Sequence, residues 1–272
     1  MCGIFGSVGD PVGPETIGRV AAVLHHRGPE SQGVTRVAGA TLLHARLKII
    51  DLSPAGAQPM TNEDGTVWIT FNGEIYNFQE LRRELEAAGH RFRSHSDTEV
   101  IVHGYEEWGD RIVDRIDGMF AFGLWDTRKR RLLLARDRTG KKPLFYAEHG
   151  GRFLFASEIK ALFAAGVPAE VDDEGLSGML AFGYSPPPGS LYRGVFQLPP
   201  AHRLSKETGR APVLDNYWSL DFSARSPAPS EAEAKVRIRE LLRDAVRKRL
   251  VADVPVGAFL SGGLDSTIVV GL

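Results

Sequence analysis

Four short β runs between residues 118 and 157 restrict the folding options of this chain more than any other feature. Met119 to Trp125, Leu132 to Arg136, Leu144 to Ala147 and Phe153 to Ala156 are each a few mainly apolar residues long. The breaks between them carry turn residues (Asp126-Thr127, Gly140, Gly150-Gly151), so neighbouring runs are predicted to be antiparallel. The basic cluster Arg128 to Arg131 falls in one such break and reads as a hairpin turn rather than a binding patch. Helical periodicity flanks this set. Pro14 to His25 places Ile17, Val20, Ala21 and Leu24 on one face, and Asn77 with Glu80 opens a helix with Leu81, Leu85 and Ala88 that Gly89 closes. Ser96 with Glu99 repeats that capping pattern before Val100, Ile101, Tyr105 and Trp108, and Glu158 to Ala165 and Glu174 to Phe182 follow the β runs. Strands in one set with helices before and after them read as layers, two sheets sandwiched by helices in an α/β (α+β) chain.

Three further strands carry polar residues that chemistry could use. Gly3 to Val8 reads as a short buried strand, Ala40 to Asp51 as a strand or strand pair from which Arg46 projects, and Thr66 to Phe71 as a strand running into Asn72-Gly73-Glu74. An arginine in such a setting answers a carboxylate, either a ligand's or an internal partner such as Asp51 or Glu74. Asn-Gly after a strand is a turn signal, yet the same pair offers a side-chain amide and an unhindered N–H aimed at one spot. Asp97 has two readings as well: a helix-start carboxylate favoured by the macrodipole, or a carboxylate that binds an ammonium group. His25 and His26 point about 100° apart on a helix and have no second cluster to join, so they belong to a polar loop.

The single cysteine of 272 residues stands at position 2. If Met1 is removed, Cys2 carries a thiol beside a free α-amine, and the amine, with a pKa of about 7.7–8.0 against about 8.5 for the thiol, can serve as its base. The alternative is a small buried cysteine near the start of the chain. One cysteine makes no intrachain disulfide, no basic and apolar leader occupies residues 1 to 25, and no stretch approaches the roughly 18 apolar residues of a membrane span, so a cytosolic protein is expected. A net charge of −1 gives no electrostatic reason to expect a nucleic-acid partner.

Ser185 to Gly189, Gln197 to His202 and the Ser/Ala/Pro-rich Ser223 to Pro229 break regular structure, and the last is predicted to separate two units, 2–225 and 230–272. Beyond it, Ser230 with Glu233 caps a helix to about Val251 whose face is Val236, Leu241, Ala245 and Arg249, widened by Leu242 and Val246. Val254 to Leu260 then reads as a buried strand and Ser261 to Ser266 as a glycine-rich loop opening a helix, together an anion cradle of backbone N–H groups. It is no Walker loop, because no Gly-Lys-Ser/Thr follows.

Six stretches taken together, Met1 to Ile4, His26 to Pro29, Arg46 to Asp51, Phe71 to Asn77, Ser96 to Glu99 and Ser261 to Ser266, resemble the glutamine-hydrolysing asparagine synthetases over essentially the whole chain. The resemblance implies an N-terminal-nucleophile glutaminase domain, a four-layer αββα sandwich, followed by the first helix and strand of an incomplete ATP pyrophosphatase-type domain. It implies Cys2 as the nucleophile on the glutamine amide with its own amine as base, and Asn72 with the Gly73 N–H as the oxyanion hole. Arg46 would hold the substrate carboxylate and Glu74 and Asp97 its ammonium, in a pocket to which Leu47, Lys48, Ile49 and Ile50 also belong. Leu260 would lie by the adenine, and Ser261, Gly262, Gly263, Leu264, Asp265 and Ser266 would cradle the ATP phosphates with Mg2+, while ammonia attacks an aspartyl-adenylate. Glutamine, aspartate and ATP are then the partners, with a homo-oligomer left open. Glu30 stands where the family usually has Asp, and Lys48 where it usually has Ser.

Related enzymes acting on other acids share both parts, whereas glucosamine-6-phosphate synthase and phosphoribosyl-pyrophosphate amidotransferase share only the first. A glutamine-sensing domain without turnover is the reading from another class. Because an ATP site of this type needs several βαβ units, the chain is expected to be truncated. It should hydrolyse glutamine without making asparagine, and should aggregate through bare apolar surface unless trimmed near residue 225.

Overall fold

β1 (Gly3–Gly9) shows how alternation builds the layers: Ile4 and Val8 face one core while Phe5 faces another. The computed structural model describes residues 1–223 and 229–272, so most of the expected linker, residues 224–228, lies outside the described residues. After β1 come α1 (Pro14–Leu24), β2 (Ser31–Val37), β3 (Ala40–Arg46), β4 (Met60–Thr61) and β5 (Val67–Ile75). Next are α2 (Phe78–Ala87), α3 (Glu99–Trp108), α4 (Ile112–Arg115) and the strands β6 (Gly118–Asp126), β7 (Arg131–Arg136), β8 (Phe145–His149) and β9 (Arg152–Ala156). The chain continues through α5 (Ile159–Ala164), α6 (Asp173–Phe182), β10 (Val195–Gln197), β11 (His202–Glu207), β12 (Val213–Asn216), α7 (Glu231–Lys248) and α8 (Leu264–Gly271).

Two six-stranded antiparallel sheets result, ordered β10-β8-β9-β1-β3-β2 and β12-β11-β7-β6-β5-β4. Three cores separate four layers. Ile17, Val20 and Leu24 of α1 and Ala161 and Leu162 of α5 cover the first sheet, while Leu81 and Leu85 of α2 and Val100 and Ile101 of α3 cover the second. Ile4, Leu42, Trp125, Leu134 and Phe155 fill the space between the sheets. Phe155 sets that spacing: a Cβ on Gly6 of one sheet or on Gly123 of the other would come within 2.2 Å of its ring. The αββα sandwich expected from the sequence is present.

Several local expectations are corrected. The four β runs divide between sheets, β6 and β7 in one and β8 and β9 in the other. Ala40 to Asp51 stays in a sheet only as far as Arg46. Asn72-Gly73 makes no turn, because β5 runs straight through it, paired with β6 from Val67↔Asp126 to Ile75↔Gly118. Neither of the first two capping pairs forms: Asn77 instead bonds Arg115 and Asp117, and Glu99 accepts from Arg93 N and from Ser94. The third does form, with Ser230 and Glu233 reciprocally capping α7. Val254 to Leu260 is not a buried strand. No strand among the described residues flanks it, and Phe259 and Leu260 are exposed, as are Val236 and Leu241 of α7. The last helix starts at Leu264, two residues before the expected start.

Candidate active site

Cys2 precedes β1 and is pinned from behind. Arg27, in the turn after α1, donates from Nε to the Cys2 carbonyl at 2.9 Å and from Nη1 to Glu158 at 2.8 Å. Burial opposes ionisation of Glu158, but hydrogen bonds from Arg27, Lys160 and His26 hold its carboxyl at about 2, so the anchor is charged. Ile4 N donates to Ser157 Oγ at 3.1 Å, fixing the chain two residues on. The Cys2 sulfur lies 3.4 Å from Leu47 N and 3.5 Å from Leu47 O. Burial pushes the thiol above its ordinary value, with the Leu47 N–H working the other way, so the resting sulfur carries its proton.

The sulfur faces a cavity of about 160 Å³ that Arg46, Leu47, Ile49, Ile50, Asn72, Gly73, Glu74 and Asp97 help to line. Nine of the ten residues expected in a glutamine pocket therefore meet in one cavity. Lys48 is the exception: it is not in the lining, and its N–H is engaged by the Glu30 carboxylate at 2.6 Å. Arg46 is 6% exposed, and its guanidinium donates to the carbonyls of Asp51 and of Ser53, the latter at 3.1 Å, rather than to the expected carboxylates. Carbonyls orient the fork without neutralising it, so the charge is available to a ligand carboxylate. Gly56 makes room for this: a Cβ there would stand 2.4 Å from Arg46 Nη2.

Asn72 is 1% exposed and its Nδ2 has no hydrogen-bond partner, a buried donor in the wall of the cavity. Two carboxylates, Glu74 and Asp97, line the same cavity. Asp97 precedes α3 instead of sitting in its first turn, and its Oδ2 accepts from Ile75 N at 2.9 Å. Burial, reinforced by nearby Glu74, pushes Asp97 to about 7, and burial also raises Glu74. Burial outweighs the pull of Lys142 and Arg249 on Glu74, so both carboxylates would gain from a ligand cation.

The sequence reading missed His44, Gln58 and Lys142, which also line the cavity. Burial holds His44 at about 3, hence neutral, and its Nε2 is 3.1 Å from Phe71 O. Gln58 ties Phe71 N (2.7 Å) to Thr98 (3.1 Å). Lys142 is 5% exposed with its ammonium pulled down by burial, and its Nζ is 3.2 Å from the sulfur of Met1. A histidine alone in an apolar strand was the one available sequence signal.

The 260–266 stretch lies outside this cavity. Ser261 Oγ and Ser266 Oγ are 3.0 Å apart, Gly263 N donates to Ser261 Oγ at 3.4 Å, and the loop is mostly exposed. Asp253, ahead of that stretch, does reach the pocket loop: its N–H donates to Ile49 O at 2.9 Å and its carboxylate accepts from Asp51 N at 2.7 Å. Among the described residues no helix is long and apolar enough to cross a membrane.

Paired antiparallel sheets between helices, with a cysteine at position 2, place the chain in the class of N-terminal-nucleophile amidotransferase folds. The solved glutamine phosphoribosylpyrophosphate amidotransferase of B. subtilis superposes with a TM-score of 0.60 over 80% of this chain and 49% of its own, at 20% identity. The chain belongs to the glutamine amidotransferase domain family, which matches residues 1–218, and residues 237–272 match the asparagine synthase family. It is 40% identical to asparagine synthetase [glutamine-hydrolyzing] 3 of Bacillus subtilis over 100% of this chain and 45% of that protein. A Methanocaldococcus jannaschii putative asparagine synthetase is 34% identical over 100% of the chain and 56% of its own length. Amidase chry2 of Gibberella zeae is 35% identical over 92% of the chain and 37% of its own length. The chain thus spans about half the length, or less, of these curated relatives.

Proposed function

We propose that this chain hydrolyses glutamine to glutamate and ammonia at Cys2. The observation that carries the reading is the buried, unpartnered Asn72 amide in the cavity that the Cys2 sulfur faces. A donor left without a partner in a protein interior is unfavourable unless a ligand uses it, and an oxyanion developing on the glutamine amide would do so together with the Gly73 N–H. Arg46 binds the glutamine α-carboxylate, and Glu74 and Asp97 bind its ammonium, which restores Asp97 to its ionised form.

Loss of Met1 frees the Cys2 amine to act as base. Burial pulls the Met1 amine at this corner below its ordinary value, and Arg27 and Lys142 act in the same direction. The amine accepts the thiol proton as sulfur bonds to the amide carbon and returns it to nitrogen as the C–N bond breaks. Ammonia leaves a glutamyl thioester, and water then releases glutamate. Incubation with glutamine should yield equimolar glutamate and ammonia, and Cys2→Ala should abolish both. Equal turnover by that variant would refute the reading.

We assign residues 2–225 to the glutaminase and 230–272 to a synthetase segment, with ammonia passed to an aspartyl-adenylate made from aspartate and ATP to give asparagine, AMP and pyrophosphate. Its support is the asparagine synthase match and the names of the relatives. Residues 260–266 would approach the nucleotide, Leu260 on the adenine side and Ser261 to Ser266 on the phosphates. Mg2+ would accompany that nucleotide, but among the described residues Asp265 has no companions that make a metal cluster, so no step is assigned to it. The similarity to an amidase carries a second reading, transfer of ammonia to another carboxylic acid.

A further inference from the structure

α3 carries a second convergence of polar side chains that the glutamine pocket does not use. His103 is 1% exposed, and Glu106, one turn on, has its Oε2 3.0 Å from His103 Nδ1. Glu63 Oε2, from the turn ahead of β5, lies 3.9 Å from the same nitrogen, and His90 Nδ1, from the segment after α2, lies 3.9 Å from that same Glu106 oxygen. The facing atoms of His90, His103 and Glu106 all fall within 4.8 Å of one another.

The other polar atom of each side chain faces a partner outside the cluster, and for His103 Nε2 that contact is at ion-pair distance and not a hydrogen bond. His103 Nε2 faces the buried Glu99 carboxylate at 3.6 Å, and His90 Nε2 meets Glu107 at 3.3 Å. Glu106 Oε1 accepts from Asn62 Nδ2 at 2.7 Å, and Glu63 Oε1 accepts from Arg91 N at 3.4 Å. A carboxylate against the outer nitrogen of a histidine fixes which nitrogen faces inward and raises its basicity, and outer partners of this kind orient metal ligands.

We propose that His90, His103, Glu106 and Glu63 form a structural site for a divalent first-row transition cation, zinc foremost, which fastens α3 to the turn before β5 and to the segment after α2. Two imidazoles with two carboxylates make a mixed nitrogen and oxygen set, which Mg2+ and Ca2+, takers of oxygen alone, do not favour. Four protein ligands leave no open position, so the ion would be structural and not catalytic. Bonds of about 2.1 Å to a tetrahedral ion set ligand atoms about 3.4 Å apart; the facing atoms of His90, His103 and Glu106 lie within 4.8 Å of one another and Glu63 Oε2 lies 3.9 Å from His103 Nδ1, so side-chain rotation would draw all four onto the ion.

The test uses the full chain carrying Cys2→Ser, which removes the only competing thiol, stripped with EDTA and titrated with Zn2+ and with Co2+. One equivalent should bind with a Kd below about 1 µM, raising the melting temperature, and Co2+ should give visible absorption bands of a four-coordinate site. His90→Ala and Glu63→Gln, both at partly exposed positions and checked for folding by circular dichroism in EDTA, should weaken binding at least tenfold. With Cys2 intact, His90→Ala should still hydrolyse glutamine. Absence of stoichiometric binding, or equal binding by the two variants, would overturn the proposal.

Discussion

Arg27 Nε holds the carbonyl oxygen of Cys2 at 2.9 Å, and the same guanidinium holds Glu158 at 2.8 Å. Cys2 is thereby tied through one guanidinium to the turn after α1 and to Glu158, although it stands one peptide bond from the start of the chain. Arg27→Lys keeps the charge but cannot reach both partners with one planar fork. Steady-state glutamine hydrolysis by this variant should show kcat reduced about tenfold or more through misplacement of sulfur, with KM little changed. A rise in KM alone would assign Arg27 to substrate binding instead.

Asn72 offers an unpartnered donor where the amide oxygen would gain charge. Asn72→Ala should lower kcat by about a hundredfold to a thousandfold while leaving KM within a few fold, since the interaction forms in the transition state. Comparison of both constants at saturating and limiting glutamine separates this from a binding role.

Burial raises Asp97 to about 7 in the ligand-free chain. A carboxylate whose folded value lies above its unfolded value of about 3.9 takes up a proton on folding, so its contribution to stability is complete below about pH 4 and is lost as pH rises through about 7. Thermal melts of the wild type should therefore lose stability across that window relative to Asp97→Asn. Because the ionised form binds an ammonium, KM for glutamine should fall as pH rises through about 7, and the Asn variant should show a high KM without that inflection.

Gly56 packs against the guanidinium of Arg46 and the carbonyl of Asp51, with distances of 2.4 and 2.7 Å from an added Cβ. Gly56→Ala should push the fork off its carbonyl rests and raise KM for glutamine about tenfold or more, equivalent to about 1.4 kcal/mol or more of binding, with a smaller effect on kcat. An unchanged KM in a folded variant would mean that the loop can move aside.

Alternating and periodic apolar residues made the layers legible, because Ile4, Phe5, Trp125 and Leu134 obey the period of the elements they sit on. β2 and β12 escaped: both are edge strands without a single buried residue, β12 being exposed even at Val213 and Leu214, so no buried apolar face marks them. Val254 to Leu260 misled in the opposite sense, since its apolar content matches that of a buried strand while burial depends on a neighbour that local sequence does not encode. At the site, Cys2, Arg46, Asn72 and Asp97 stood out through the motifs that hold them. Lys142 and Gln58 reach the same cavity from a turn and a loop whose local sequence gives no sign of it, and Lys48 sits in a motif yet takes no place in the lining.

In the proposed reaction a terminal thiol, deprotonated by its own amine, attacks a glutamine held in this cavity. Intact-mass and peptide mapping after treatment with an electrophilic glutamine analogue test it most directly. The account predicts one adduct, on Cys2, in a chain that has lost Met1, formed in step with loss of hydrolysis and slowed by glutamine. Full activity in chains that keep Met1, or an adduct on any other residue, would contradict it.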